Sequence, residues 1–259
     1  MLGLIRAWRR RALLRDNPIP PAAWQRCLDA LPLTRRLDAE STARLRDHTA
    51  LFLREKSFSG AHDLALSDEL LLVIAAQACL PILNFDFSVY DDWETVIVYP
   101  AEFVSTQEYV DEAGVVHVTR DILIGEAWLR GPLIVSADDV RRSGELDGVN
   151  VVIHECAHKL DMLNGDANGH PPLHRDMRVK AWSRAFQSGY DDFVARLDRG
   201  EDTEIDPYAG ENPAEFFAVL SETFFERPGA IKRTYPDIYD QLRLYYRQDP
   251  AASMITEYR

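Results

Sequence analysis

The stretch from Asn150 reads NVVIHECAHKLDMLNGD, and inside it His154-Glu155-Cys156-Ala157-His158 has the form H-E-x-x-H. On a helix, positions i and i+4 share one face, so His154 and His158 can offer their imidazoles to one metal ion. Glu155 stands one step round the helix, able to reach a water beside the metal without occupying the coordination sphere. Neutral imidazole suits zinc, and two histidines leave room for a third protein ligand and a water. The chemistry such a set performs is hydrolysis by an activated water.

The residues around the motif support a helix from Val149 to Leu163. Val149, Val152, Ile153, Ala157 and Leu160 recur at helical spacing, and Asn164-Gly165 is a plausible stop. Two exposed histidines on a surface helix is the competing reading, and these apolar neighbours disfavour it. For the third ligand the chain offers carboxylates downstream. Glu215 lies in ENPAEFFAVLSETFFERP, 57 residues beyond His158. With Asn212 as N-cap and Pro213 at N1, Glu215 also fits a capping box, in which it would reach back to the Asn212 N–H. Glu222 is the rival ligand on the same helical face and Glu211 an outsider, so the residues alone leave the choice open. Asp161 could accept a hydrogen bond from a ligand imidazole or simply add charge near a helix end. His170 and His174, in the NGDANGHPPLH loop, are either cleft-lining or surface residues. Cys156 reads as helix packing, and Cys27 and Cys79 as small core residues.

The rest of the chain must position this set. Its 259 residues carry 29 Lys+Arg against 42 Asp+Glu, a net charge of −13, with 46% hydrophobic residues. That is an ordinary globular composition, read as a single domain over residues 1–259. The acidic balance argues against direct nucleic-acid binding, which needs Lys and Arg on phosphates, but not against a basic protein partner. Three scattered cysteines with no C-x-x-C exclude a disulfide scaffold and suit a reducing, cytoplasmic setting. The start, MLGLIRAWRRRALLRDNP, carries Arg6, Arg9, Arg10, Arg11 and Arg15 but no signal-peptide core. It reads as a solvated helix or frayed tail, with a membrane-surface helix as the alternative. The apolar stretch Leu70–Leu83 is too short to span a bilayer, which takes roughly 20 residues. It reads instead as a buried helix starting near Ser67.

Residues 20–84 are therefore expected to be mainly helical, with a helix over Asp38–Lys56. Strand patterning follows at Thr95–Tyr99, Val115–Val118 and Pro132–Val135, and more weakly at Asp121–Trp128. Helices return over Met177–Leu197, Pro213–Glu226 and Asp237–Arg247. Helices, a small sheet, then helices make an α+β fold.

HECAHKLDMLNGD followed by DPYAGENPAEFFAVLSETFF resembles the Mlc titration factor A family of bacterial zinc peptidases. DDWETVIVYPAEFV, GPLIVSADDV and LYYRQDP extend the likeness over roughly residues 25–250, with the Arg-rich start outside it. The resemblance implies a zincin-like metallopeptidase domain with a small mixed sheet, a helical N-terminal lobe at about 20–84 and a catalytic part at about 85–250. It implies one zinc per chain held by His154, His158 and Glu215, with Glu155 as catalytic base. The catalytic part is also similar to that of anthrax lethal factor, where a tyrosine seven residues before the glutamate ligand lies over the metal. That position here is Tyr208, which would donate a hydrogen bond to an oxyanion, a packed loop tyrosine with a satisfied hydroxyl being the competing reading. The implied activity is aminopeptidase-like hydrolysis of peptide substrates. The implied partner is Mlc, a glucose-responsive repressor. The strand Pro132–Ser136 is the candidate to hold an extended peptide by edge pairing. A regulatory protein that sequesters a repressor, with hydrolysis secondary or absent, is the alternative. Intact Glu155 argues against a third option, a catalytically idle zinc scaffold.

Overall fold

The computed structural model describes residues 2–101, 107–110, 116–119 and 131–253. The chain opens with α1 (Leu2–Asp16), α2 (Pro21–Ala30) and α3 (Ala39–Glu55), then a short strand β1 (Ser57–Gly60) and α4 (Asp68–Cys79). Local chemistry sets these boundaries. Asp38 accepts the Ser41 N–H to start α3, and Ser67 accepts the Leu70 N–H to start α4, with Asp68 and Glu69 in the first turn facing the positive helix end. Strand β2 (Thr95–Tyr99) follows, then β3 (Gln107–Val110), β4 (Val116–Thr119) and β5 (Leu133–Ser136). The weak strand candidate at Asp121–Trp128 lies outside the described residues.

The fold is α+β, as the sequence pattern indicates. The described strands form two sheets rather than one mixed sheet. One is an all-parallel set in the order β1-β2-β5, and β3 pairs antiparallel with β4 by itself. Helix α4 is the crossover that parallel pairing of β1 with β2 requires. The sequence pattern did not reveal β1, because Ser57-Phe58-Ser59-Gly60 has no β-branched residue. Its register with β2, Ser57 opposite Thr95 through Gly60 opposite Val98, makes it a strand.

Beyond β5 come α5 (Ala137–Arg142), α6 (Val151–Asp161), α7 (Val179–Asp198), α8 (Pro213–Glu226), α9 (Pro228–Thr234) and α10 (Pro236–Tyr246). Helix α6 packs on α8, β5 and α4. One buried apolar cluster joins all of this, from Trp24 and Phe52 in the N-terminal helices through Val96 and Leu133 to Phe217 and Tyr246.

The arginine-rich start is neither frayed nor wholly solvated. Arg10 grips Glu55 through two bonds of 2.8 and 2.6 Å and Asp91 at 2.6 Å, Arg6 pairs with Asp91, and Leu13 and Leu14 pack on the core. Trp8 stays 70% exposed on the outer face. No helix among the described residues is long and apolar enough to cross a membrane.

Candidate metal centre

Helix α6 begins at Asn150, whose side chain accepts the Ile153 N–H. From Val152 to Asp161 every side chain is buried except Glu155, which is partly open. Helix α8 begins at Asn212, whose Oδ1 accepts the N–H groups of Ala214 at 2.9 Å and Glu215 at 3.0 Å, with Pro213 at N1. The sequence placed this helix start correctly. The Glu215 side chain, however, turns away from the cap toward α6.

There it meets both histidines. Glu215 Oε2 lies 3.0 Å from His154 Nε2 and 3.3 Å from His158 Nε2, and the two Nε2 atoms are 3.1 Å apart. Donors about 2.0–2.1 Å from a zinc ion at tetrahedral angles would sit about 3.3–3.4 Å apart, so the three atoms have nearly the spacing of one face of such a site. Among the described residues these are the ones whose ligand atoms converge as a metal site needs. His170, His174, Asp161 and Glu222 are not in that set. His174 instead bonds the Tyr245 carbonyl at 2.8 Å, and the His170 ring lies by Trp182.

Glu222, the rival ligand, serves His154 from behind. Its Oε1 accepts from His154 Nδ1 at 2.7 Å, which aims the Nε2 of that ring at the centre. Burial works against a charged His154, but the Glu222 charge and the bonds to Glu215 and Glu222 outweigh it and raise its pKa well above the ordinary value. Burial likewise pushes Glu215 up, yet hydrogen bonds from His154 and His158 bring it down to about 2. Without a metal the cluster is thus held together by protons, and a divalent cation must displace them, so loading weakens as pH falls. Glu222→Gln is expected to weaken metal affinity about 10–100-fold, measured by chelator competition.

Tyr208 sits in the turn Pro207–Gly210, which packs on α8, and its N–H is fixed by Asp206 Oδ1 at 2.9 Å. Its ring centroid is 6.1 Å from that of His154, and the residue is 41% exposed. Burial of its hydroxyl and the nearby Glu215 charge push its pKa up to about 12, so the phenol remains a proton donor at neutral pH.

Asp161 takes neither role the sequence offered. Its Oδ2 accepts the N–H groups of Asn168 at 2.8 Å and Gly169 at 2.6 Å, and no hydrogen bond joins it to an imidazole. It clamps the loop after α6 so that Gly169 lies against the start of α8. Gly169 has φ +76°, and a Cβ there would come within 2.4 Å of the Pro213 carbonyl oxygen, two residues before Glu215. Gly169→Ala is therefore expected to cost about 2–4 kcal/mol, from left-handed strain plus overpacking, and to loosen metal binding as α8 shifts. Thermal unfolding with and without chelator measures both.

Two further residues were invisible as site components in the sequence. Lys159, buried beside the motif, donates to the Gly131 carbonyl at 2.9 Å and so ties α6 to the approach of β5. Glu226, one turn past Glu222, is 2% exposed with one oxygen unpartnered, and burial raises its pKa from 4.5 to about 7. The folded chain holds this proton more tightly than the unfolded chain, so stability falls as pH rises from 4.5 to 7. The cost above pH 7 is at most about 3 kcal/mol. Glu226→Gln is expected to raise stability by up to that amount at pH 8 and hardly at all at pH 4, read from denaturant unfolding at the two pH values.

All three cysteines are free and buried. Burial pushes the Cys27 and Cys156 thiols up to about 12, which suits packing rather than chemistry.

The chain has known relatives. An uncharacterised protein of Synechocystis sp. is 38% identical over 247 residues, covering 94% of this chain and 89% of that one. Proteins called Mlc titration factor A are 37% identical in Pectobacterium atrosepticum, over 89% of this chain and 88% of theirs, and 34% identical in Yersinia pestis, over 90% and 87%. The pattern of the family described as glucose-regulated metallo-peptidase M90 matches residues 5–247, so the likeness reaches back beyond residue 25 to take in most of the Arg-rich first helix. With that match over nearly the whole chain, and a buried His154–His158–Glu215 cluster able to hold a metal ion, the chain belongs to the M90 metallopeptidase family.

Proposed function

We propose that this metallopeptidase is a zinc-dependent, aminopeptidase-like enzyme of the cytoplasm, with a regulatory role through binding an Mlc-like repressor. The observation that carries the catalytic reading is the convergence of His154 Nε2, His158 Nε2 and Glu215 Oε2 within 3.0–3.3 Å of one another, beside the partly open Glu155. In this reading those three side chains hold one zinc per chain. When bound, zinc supplies a Lewis acid that polarises a carbonyl and lowers the pKa of a water toward about 7. Glu155 takes the proton from the attacking water and delivers it to the leaving amine. Tyr208 donates its hydroxyl hydrogen to the developing oxyanion. Strand β5, which pairs on one side only among the described strands, holds an extended peptide along its free edge. The N-terminal lobe and the catalytic part act as one domain, a reading supported by their shared core.

The test is elemental metal analysis of untagged protein beside hydrolysis of a peptide with a free or an acetylated N-terminus. About one zinc per chain is expected, with cleavage of the free peptide lost on chelation and restored by zinc. A protein that takes up no zinc after dialysis against it would sink the enzyme reading. Equal cleavage of the acetylated peptide would overturn only the aminopeptidase part.

The regulatory part is supported by relatives that carry the name Mlc titration factor A, and by a net charge of −13 suited to a basic surface on a partner. Cytoplasmic action is supported by three free, buried cysteines. A zinc-free His154→Ala variant should still retain purified Mlc if the docking surface lies away from the metal. Absence of retention by wild type would remove the regulatory role.

A further inference from the structure

Asn150 does more than a helix cap requires. It is 1% exposed and stands between the start of α6 and two carboxylates of α8. Its Oδ1 accepts the Ile153 N–H at 3.1 Å, which is the capping bond. Its carbonyl accepts the N–H of His154 itself at 2.9 Å. Its backbone N–H donates to Glu222 Oε2, the oxygen of that carboxylate not used by His154. Its Nδ2 donates to Glu226 Oε1 at 2.9 Å.

We infer that Asn150 is a positioning residue of the metal centre, anchored by Glu226 and acting on His154 through Glu222. The inference rests on the metal-centre reading above. A carboxylate held at one oxygen can swing about that contact; held at both, it fixes the plane of whatever bonds it. Glu222 is held at one oxygen by His154 Nδ1 and at the other by the Asn150 N–H. The direction of that N–H depends on the Asn150 peptide plane, which the side-chain amide pins between Ile153 and Glu226. A capping oxygen alone would not do this, since Asp or Ser caps a helix about as well as Asn. What Asn adds is the Nδ2 donor.

That difference makes the test. At pH 8, where the measurements are made and above the Glu226 pKa of about 7, Asn150→Asp keeps the cap but sets a second carboxylate against Glu226. Asn150→Ser keeps the cap with only a shorter hydroxyl in place of the Nδ2 donor and no added charge. Asn150→Asp combined with Glu226→Gln rebuilds the hydrogen bond with donor and acceptor exchanged. Zinc affinity is measured by competition with a chromogenic chelator, and folding by circular dichroism in chelator. Asn150→Asp and Asn150→Ser are expected to bind zinc about tenfold more weakly while folded, the lower end of what losing Glu222, the direct partner of the imidazole, should cost. Glu226→Gln, measured alone, is the reference against which the double variant is read. The double variant should recover most of what Asn150→Asp loses. Wild-type affinity in a folded Asn150→Ser or Asn150→Asp, or a double variant no better than Asn150→Asp, would overturn the positioning role and leave the metal centre standing. A wild-type protein that binds no zinc would overturn both.

Discussion

Glu155→Gln is expected to lower turnover of a peptide substrate by about 10²–10⁴-fold, the usual worth of a positioned acid–base group. The substitution keeps shape and removes the one property the role needs, a carboxylate that can take a proton from water and release it to an amine. Glu155 is partly open within a run of buried side chains, as a group facing a substrate should be. None of the three converging donor atoms belongs to it, so the metal should remain. The informative result is therefore a pair of numbers from one preparation, metal content near one per chain and turnover reduced by the stated factor. Little change in KM would place the loss in the chemical step rather than in binding. Full activity with metal bound would show that another group moves the proton. Tyr208, a donor held protonated with its pKa near 12, is suited to stabilise an anion and unsuited to replace that base.

The helices of the site were legible because their signals are local. Asn212, Pro213 and an apolar run define the start of α8 from a handful of consecutive residues, and Ser67 with Asp68 and Glu69 does the same for α4. The apolar spacing around His154 marked the motif's helix as a packed one for the same reason, though its burial is nearly complete, with Glu155 alone partly open from Val152 to Asp161. What could not be read was the direction of side chains that depends on a second element. Glu215 at N3 fits a capping box and a metal ligand equally well until α6 is packed across it. Asp161 has the right spacing to serve an imidazole, yet its partners are two backbone N–H groups seven and eight residues on, fixed by the path of a loop. Asn168-Gly169 reads in the sequence only as a turn; the importance of Gly169 lies in the distance to a carbonyl of another helix. Strand β1 belongs to the same class, since its pairing with β2, rather than its own residues, makes it a strand.

Replacing Glu215 and Asn212 by alanine, one at a time, is expected to separate metal binding from folding. Structural sites with four protein ligands bind zinc by about 10–16 kcal/mol, about 2.5–4 kcal/mol per ligand, and at that worth Glu215→Ala should weaken zinc binding by about 10²–10³-fold. It should leave the start of α8 intact, because the cap is made by Asn212 Oδ1 to backbone N–H groups that alanine retains. In chelator its unfolding midpoint should also fall at neutral pH, because the carboxylate that His154 and His158 hold down at a pKa of about 2 has been removed and their buried rings lose a partner. Asn212→Ala should spare zinc binding and cost stability alone. Losing the cap costs about 1 kcal/mol of stability. The three donor atoms are untouched, so zinc affinity should fall only as far as a frayed first turn lets Glu215 drift. Chelator competition and unfolding in chelator, run on both variants, read the two effects independently. If Glu215→Ala bound zinc as tightly as wild type and lost stability instead, its carboxylate would be serving the helix rather than the metal, and Glu222, the other carboxylate in contact with His154, would become the ligand to test.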